Sequence, residues 1–494
     1  MKFKRPPRQK QLEALEFLKG KRYAALFMEM RVGKTFCILN DWQRIVAADT
    51  GIGDLLVVAP GSVYKVWEKA ITDDVDDDLR AATLQYTWES DKALPRHVKG
   101  FLAFKGPRIL LINAEAFVTE RARDFVIKLL AQHRCMMVID ESTLIKNPKA
   151  ARTKFLLSIA PLAKCRRILS GLPTPRSPFD IYCQMQWLGP ILDFKDYKHF
   201  TYRYGVFRKK YIRGGAGKEP TDNPFSAHGA KSLATKIVHE VVGYKRLDEL
   251  QRKIAPHSFR VLLSECTDLP KSLYSIREVR ITDEQRRLYN DLKRYSYAAL
   301  EGGEIVTADI VIVKMLRLQQ ILLGRAVDED GETHDIKEHR TEALIELFNE
   351  TAEKAVVFCS YDADVVKISA ALRKEFGDDS VARFWGGNRT TREAEEKDFQ
   401  TRPGCRFMVA TAAAGGMGRD WSAASIVVFY SNRDNLEHRM QGESRPLAVG
   451  KTKPILYVDL QCSGTVDEKF ITAMRKKLNL AAEITGDNFK QWLI

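Results

Sequence analysis

Short apolar segments recur along this chain, and each is followed by small or acidic residues. Buried parallel strands have this continuous apolar character, because helices cover both faces of their sheet. Longer amphipathic stretches lie between the segments, at 11–18 and 122–130. The alternation predicts an α/β fold with a doubly wound parallel sheet. In the first part of the chain we expect strands at 24–27, 55–59, 109–112 and 136–139.

A basic, aromatic segment interrupts this alternation. Between 195 and 218 there are eight lysines or arginines and one acidic residue, Asp196, interleaved with six aromatic side chains. Within it, Lys209 and Lys210 are candidate contacts to a phosphate backbone. The alternative is an exposed loop whose aromatic side chains pack inward.

A second α/β lobe is predicted after a Leu-Pro-Lys break at 269–271, where the strand and helix alternation resumes. A helical period at 288–299 precedes it, and a basic helix at 465–478 closes the chain. The expected strands are at 355–359, 407–410, 425–430 and 455–460. We therefore predict a first lobe at 1–190, a helical, basic insertion with its linker at 191–275, and a second lobe at 276–494.

Composition narrows the class of protein. A length of 494 residues implies two to four domains. The formal charge of +15 favours a polyanionic partner such as nucleic acid, the alternative being a merely basic surface. Eight cysteines without a Cys-x-x-Cys pair favour reduced thiols over zinc or disulfides. No apolar run approaches the ~18 residues that span a bilayer, so we expect no membrane partner.

A Gly-Lys-Thr tripeptide, Gly33 to Thr35, follows the first predicted strand and precedes a predicted helix. This context is typical of a phosphate-binding loop. Backbone N–H groups would surround the phosphates, Lys34 would reach the β and γ phosphates, and the Thr35 hydroxyl would bind Mg²⁺. Met28 stands where the consensus has its first glycine, and a chance turn is the alternative.

Two adjacent carboxylates, Asp140 and Glu141, end the apolar run at 135–139. Cleavage of a phosphoanhydride needs such a pair: Asp140 would hold Mg²⁺ through water, and Glu141 would act as general base on the attacking water. An isolated pair of this kind is commonly a solvated turn. Together with the phosphate-binding loop, it predicts a nucleotide hydrolase.

The order and spacing of the motifs resemble the Swi/Snf-like branch of the superfamily-two helicases over nearly the whole chain. Residues 28–35 resemble its Asp-Glu-Met-Gly-Leu-Gly-Lys-Thr loop, altered at Met28 and Arg31. Residues 140–147 resemble its Asp-Glu-Ala-His box with the Lys-Asn tail that marks this branch, and 441–445 resemble motif VI. The resemblance implies two RecA-like lobes that use ATP and Mg²⁺, in a compact bacterial or phage type.

The resemblance also assigns roles by position. It implies catalytic roles for Lys34, Asp140, Glu141 and Arg445, with Thr35 and Asp140 at the metal. It implies nucleotide contacts from Gln11, Met30, Arg31, Val32, Gly33, Lys34, Thr35, Gly418 and Asp420. It implies nucleic-acid contacts from Pro60, Gly61, Ser62, Asn113, Lys146, Asn147, Ser170, Gly171, Thr411 and Gly415.

Two departures from the family pattern bear on activity. Motif VI usually carries a second arginine three residues after the first, and here that position is Ala448. The consequence stays open between slower turnover, compensation by Arg433 or Arg439, and an altered sequence. Ser142 and Thr143 replace the usual Ala-His pair, which weakens the usual link between the metal site and motif III, the segment that residues 169–175 resemble.

Branch membership implies a motor that moves along duplex DNA without separating the strands. The motifs carry no base-reading pattern, so binding should tolerate any sequence and weaken with salt. The alternatives are a strand-separating DNA or RNA helicase, and a weakened ATPase that acts as a nucleic-acid-binding scaffold. We expect a monomer in the bacterial or phage-infected cytoplasm, or in the nucleus if the source is eukaryotic.

Overall fold

A computed structural model describes residues 3–89, 95–213, 235–266, 270, 272–301, 308–328, 331–414, 419–448 and 450–486. The strands are β1 Tyr23–Met28, β2 Asp54–Val58, β3 Leu84–Thr87, β4 Arg108–Ile112, β5 Cys135–Ile139, β6 Cys165–Leu169, β7 Gly205–Arg213, β8 Thr235–Tyr244, β9 Ser258–Val261, β10 Ser272–Glu278, β11 Arg325–Val327, β12 Thr333–Asp335, β13 Ala355–Cys359, β14 Val381–Phe384, β15 Phe407–Thr411, β16 Ile426–Phe429 and β17 Ile455–Gln461.

The α-helices lie between these strands along the chain, in several places two in succession. They are α1 Gln9–Leu18, α2 Lys34–Ala47, α3 Tyr64–Asp74, α4 Asp77–Ala81, α5 Pro95–Ala103, α6 Glu120–Gln132, α7 Ala151–Ile159, α8 Ile181–Leu188, α9 Tyr197–Tyr204, α10 Leu247–Ile254, α11 Asp283–Glu301, α12 Ala308–Leu322, α13 Arg340–Asn349, α14 Asp362–Phe376, α15 Arg392–Thr401, α16 Leu436–Glu443 and α17 Val466–Thr485. Within the described ranges, no helix is both long and apolar enough to cross a membrane.

Two parallel sheets with flanking helices form the two RecA-like lobes, which confirms the predicted fold class. The first sheet has the order β3-β4-β2-β5-β6-β1-β9, and the second has the order β10-β17-β16-β13-β15-β14. Central strands such as β2, β5 and β13 are buried at every residue, as expected for strands covered on both faces. Every apolar run predicted as a strand lies in one of these two sheets.

The chain divides into two compact units, and both sheets belong to the first unit. The second unit comprises 198–247 and 280–339. It contains the antiparallel hairpin β7–β8, most of α9, the helices α11 and α12, and the small antiparallel pair β11–β12. The described part of the basic, aromatic segment, 195–213, thus contains α9 and β7, and Tyr202 of the helix packs on Phe207 of the strand at 5.0 Å between ring centroids. The domain bounds from the sequence stay a prediction.

Candidate active site

The phosphate-binding loop lies between the end of β1 and the start of α2. Gly33 precedes the helix with a φ of 98°, in the left-handed region that glycine adopts at low cost. A Cβ atom at Gly33 would lie 2.0 Å from the Gln11 Nε2 atom and 2.9 Å from the Arg8 Nη2 atom. The backbone conformation therefore favours glycine at this position, and a Cβ would also displace the Gln11 and Arg8 side chains.

Arg8 and Gln11 hold this loop from the first helix. The Arg8 Nη2 group donates to the Val32 carbonyl at 2.9 Å and to the Arg31 carbonyl at 3.2 Å. The buried Gln11 amide donates to the same Val32 carbonyl at 3.4 Å and accepts from the Arg8 backbone N–H at 2.9 Å. The nucleotide contact implied for Gln11 stays a prediction, and Arg8 is a loop-supporting residue that the motifs did not indicate.

Lys34 and Thr35 form the first turn of α2, where unpaired backbone N–H groups and the helix dipole favour an anion. The Lys34 Nζ group donates to the carbonyl oxygens of Met28 at 2.9 Å and Glu29 at 3.3 Å. These contacts bend the lysine back over the loop. The ammonium group is thereby held where phosphate oxygens would replace the carbonyl acceptors.

Asp140 and Glu141 follow β5 directly. The Asp140 Oδ2 atom accepts a 2.9 Å hydrogen bond from the indole N–H of Trp67, which is fully buried on α3. Burial raises the pKa of Asp140, while the Trp67 hydrogen bond and the Lys34 charge oppose that rise. Burial also raises the pKa of Glu141 to about 7, and Lys34 and Arg445 lower it. Both carboxylates therefore interact with the Lys34 charge, and Glu141 also interacts with the charge of Arg445 from the second lobe.

The donor set fits Mg²⁺ bound together with a nucleotide. Within the described ranges, no three His, Cys, Asp or Glu side chains cluster as a metal site. Mg²⁺ commonly takes one or two protein oxygens and fills its octahedron with water and phosphate oxygens. Asp140 and the Thr35 hydroxyl, the two residues implied at the metal, suit that mode.

Arg445 comes from the second lobe and is buried, with 5% of its surface exposed. Its Nη1 group donates to the Arg419 carbonyl at 3.1 Å. Burial, together with the neighbouring Arg31 charge, lowers its pKa to about 9, so the guanidinium remains charged at neutral pH. Asp420 pairs with Arg31 at 3.1 Å, while Gly418 and Gly415 lie outside the described residues.

The two candidates for the missing motif VI arginine have other partners. Arg439 is buried in ion pairs with Asp459, at 2.9 Å from its Nη2 atom, and with Glu443. The Arg433 guanidinium lies over the Tyr361 ring, 4.4 Å from the centroid. Arg439 is thereby committed to the core of the second lobe.

Glu437 connects α16 of the second lobe with the segment after Glu141. Its carboxylate accepts from the Thr143 hydroxyl at 3.0 Å and from the Lys146 ammonium at 3.0 Å. Both donors belong to the Asp-Glu box and its tail. Lys146, implied as a nucleic-acid contact, is thus part of a charged pair between the lobes, and sequence reasoning missed Glu437.

Ser142 and Gln184 join the carboxylate segment to motif III. The Ser142 hydroxyl donates to the Gln184 Oε1 atom at 2.6 Å, and the Gln184 amide donates to the Pro173 carbonyl at 2.6 Å. Both side chains are fully buried. The link that the Ser-Thr pair was expected to weaken is therefore made through a glutamine on α8, which no motif pointed to.

The residues implied at nucleic acid fall into two groups. Pro60 to Ser62 follow β2 and Asn113 follows the neighbouring β4, so that a Cβ on Gly61 would lie 3.5 Å from the Asn113 Nδ2 atom. Gly61 and Ser62 are exposed there. Asn147 on the first lobe and Lys209 on β7 are also exposed.

The second group is buried instead of facing solvent. Ser170 is fully buried and its hydroxyl accepts from the Leu172 N–H at 3.1 Å, while Thr411 is 8% exposed at the end of β15. Gly171 packs against the phosphate-binding loop, since a Cβ on it would lie 3.6 Å from the Met30 nitrogen. Arg260 on β9, another residue that the motifs missed, donates to the Gly171 carbonyl at 2.9 Å.

Comparisons with known proteins agree with this arrangement. Residues 11–324, more than half of the chain, match the model of the SNF2-related domain. The chain belongs to the SNF2-related family. Residues 339–448 also match the helicase conserved C-terminal domain, so the resemblance to the Swi/Snf-like branch is confirmed.

Two distant relatives match this chain over most of its length. The mouse DNA annealing helicase and endonuclease ZRANB3 is 22% identical over 492 residues, which are 96% of this chain and 41% of the mouse protein. Protein CHROMATIN REMODELING 19 of Arabidopsis thaliana is 24% identical over 536 residues, which are 95% of this chain and 67% of that protein. This chain therefore spans less than half the length of the mouse relative.

The solved SWI2/SNF2 ATPase core of Sulfolobus solfataricus in complex with dsDNA is a structural neighbour. It is 19% identical, and the superposition has a TM-score of 0.41 over 98% of this chain and 94% of that chain.

Proposed function

We propose that this chain is an ATP-dependent DNA translocase that hydrolyses ATP to move along duplex DNA and to remodel protein–DNA complexes or branched DNA. The observation that carries the proposal is that the loop and the carboxylate segment of the first lobe both contact the motif VI region of the second lobe. Arg31 donates to the Arg445 carbonyl at 3.2 Å, and the Thr143 hydroxyl donates to Glu437 at 3.0 Å. Membership in the SNF2-related family supports the same activity.

The chemistry follows from the positions of these side chains. Glu141 accepts the proton of a water molecule as that water attacks the γ-phosphate, and the bond between the γ-phosphorus and the β–γ bridging oxygen breaks. Lys34 and Arg445 stabilise the negative charge that develops on the phosphate oxygens. Mg²⁺ held at Asp140 and Thr35 would neutralise charge on the β and γ phosphates.

Translocation would follow from closure of the two lobes around ATP. Arg445 and Glu437 of the second lobe then meet the first lobe, and hydrolysis releases them. The exposed Gly61 and Ser62, beside Asn113, form a surface suited to a phosphate backbone, because backbone N–H and small polar groups contact phosphates without reading bases. Contacts to the phosphate backbone that form and release in alternation during each cycle of ATP hydrolysis would move the chain along DNA.

Steady-state ATP hydrolysis at low salt tests the proposal. Rates are compared without nucleic acid and with duplex DNA, single-stranded DNA or RNA, with Lys34→Ala as the blank. We expect the strongest stimulation by duplex DNA, and displacement of a triplex-forming strand without unwinding of a forked duplex. Stimulation mainly by single strands or RNA would favour a helicase. Rates at the level of the blank throughout would favour the scaffold that Ala448 motivates.

A further inference from the structure

Arg31 lies in the phosphate-binding loop with a backbone conformation that arginine rarely adopts. Its φ of 66° is in the left-handed region, and the corresponding loop of the Swi/Snf-like branch has glycine at this position. A bulky side chain persists in such a conformation only where surrounding contacts hold it. The contacts of the Arg31 side chain therefore indicate why arginine stands here.

Those contacts are made to the second lobe. The Arg31 Nη2 group donates to the carbonyl oxygens of Arg419 at 2.9 Å and Arg445 at 3.2 Å, and its Nε group donates to the Ser444 carbonyl at 3.3 Å. The same Nη2 group pairs with Asp420 at 3.1 Å. One side chain thus contacts the carbonyl groups of two consecutive residues, Ser444 and Arg445.

A second contact supports the same placement. The Ser444 hydroxyl lies 3.0 Å from the sulfur of Met30, the residue before Arg31. In addition, the Arg31 and Arg445 guanidinium groups both donate to the Arg419 carbonyl, at 2.9 Å and 3.1 Å. Two like charges that share one acceptor repel each other, and a polyphosphate between the lobes would relieve that repulsion.

We propose that Arg31 is a positioning residue for ATP hydrolysis, which holds the backbone of Ser444 and Arg445 against the phosphate-binding loop so that the Arg445 side chain reaches the γ-phosphate. This inference rests on the proposed function. Arg31 acts through Arg445, and the substrate of the reaction is the nucleoside triphosphate of the proposed function. Arg31 therefore supports motif VI from the first lobe. In this chain Ala448 stands at the position where motif VI usually carries its second arginine.

A double-mutant cycle tests the proposal, with Arg31→Gly, Arg445→Ala and the double variant. Glycine suits the left-handed backbone and keeps the backbone N–H of the phosphate-binding loop, so Arg31→Gly should fold and bind a fluorescent ADP analogue within about 2-fold of the unchanged protein. Its single-turnover rate of ATP hydrolysis should fall by about 10-fold, because Arg445 would no longer be held in position to stabilise the transition state. In the Arg445→Ala background, Arg31→Gly should lower the rate no further, because the residue acts through Arg445.

Arg246→Gly is the matched control, because Arg246 also has a left-handed backbone, with a φ of 56°. It should hydrolyse ATP at the unchanged rate. An unchanged rate in Arg31→Gly, a full further loss in the Arg445→Ala background, or failure of Arg31→Gly to fold would each overturn the proposal. If the unchanged protein does not exceed Lys34→Ala, it is the proposed function that fails.

Discussion

The indole nitrogen of Trp67 lies 2.9 Å from the Asp140 Oδ2 atom, and both side chains are buried. Asp140 is the carboxylate proposed to hold Mg²⁺, and Trp67 lies on a different element, α3. The hydrogen bond favours the charged form of Asp140 against its burial. The tryptophan thereby stabilises the charged form of the carboxylate, which is the form that would hold Mg²⁺.

Trp67→Phe should therefore raise the Mg²⁺ concentration needed for half-maximal ATP hydrolysis. A hydrogen bond to a charged group contributes about 1.5–3 kcal/mol, so the increase should be about 10-fold or more. The measurement is ATPase rate against Mg²⁺ at saturating ATP. Trp187→Phe is the control, because Trp187 is equally buried and its indole nitrogen has no hydrogen-bond partner among the described residues. Equal Mg²⁺ requirements for the two variants would contradict the prediction.

Gln184→Leu should reduce coupling between DNA and ATP hydrolysis. It removes the hydrogen bonds that join Ser142 to the Pro173 carbonyl. We expect the ratio of DNA-stimulated to DNA-free ATPase rate to fall by about 10-fold, because this factor corresponds to the free energy of roughly one buried hydrogen bond. Gln186→Leu, on the same helix but bonded to the Leu192 carbonyl at 3.0 Å, should keep the ratio. A proportional fall of both rates in Gln184→Leu would instead indicate a purely structural role.

Gly33→Ala should abolish most nucleotide binding. The backbone strain of about 1–3 kcal/mol alone corresponds to about 5- to 150-fold in affinity, and the clash with Gln11 adds to it. Titration with a fluorescent ATP analogue measures the loss. Gly20→Ala is the control for a left-handed alanine outside the loop, because Gly20 has a φ of 70° with nothing within 4 Å of a Cβ, and it should bind nucleotide as the unchanged chain does. If both variants bind nucleotide as the unchanged chain does, the geometry assigned to the loop is wrong.

Arg340→Met should destabilise the second lobe. Arg340 is fully buried, pairs with Asp467, and donates to the carbonyls of Tyr430 at 2.7 Å and Leu460 at 2.8 Å. Removal of one member of a buried ion pair leaves an uncompensated charge and costs about 3–5 kcal/mol of the free energy of unfolding.

Urea unfolding measures this loss, and Arg340→Met with Asp467→Leu should be less destabilising than Arg340→Met alone. Arg252→Met is the control, because the Arg252–Asp248 pair is exposed on one helix and should leave the unfolding midpoint unchanged. Equal midpoints for Arg340→Met and Arg252→Met would exclude a stabilising role for the buried pair.

Much of the fold could be predicted from the sequence, because strands covered by helices on both faces are continuously apolar. The strand β6 was missed for a physical reason: Arg166 and Arg167 interrupt its apolar run. Arg167 is tolerated there because it pairs with Asp41 at 2.9 Å, and both side chains are buried. The strand β10 was missed because it alternates between half-buried and exposed residues at the edge of its sheet.

The sequence by itself determined the phosphate-binding loop and the Asp140–Glu141 pair, because each is a local pattern in which backbone conformation and side-chain chemistry belong to adjacent residues. Tertiary structure alone decided that Trp67 supports Asp140 and that Arg31 contacts the Arg445 carbonyl, 414 residues along the chain. The periodicity of apolar residues indicates only which residues are buried relative to their neighbours in the sequence. The partner of a buried or interlobe polar group depends on sheet order and on the meeting of the two lobes, which no local pattern encodes.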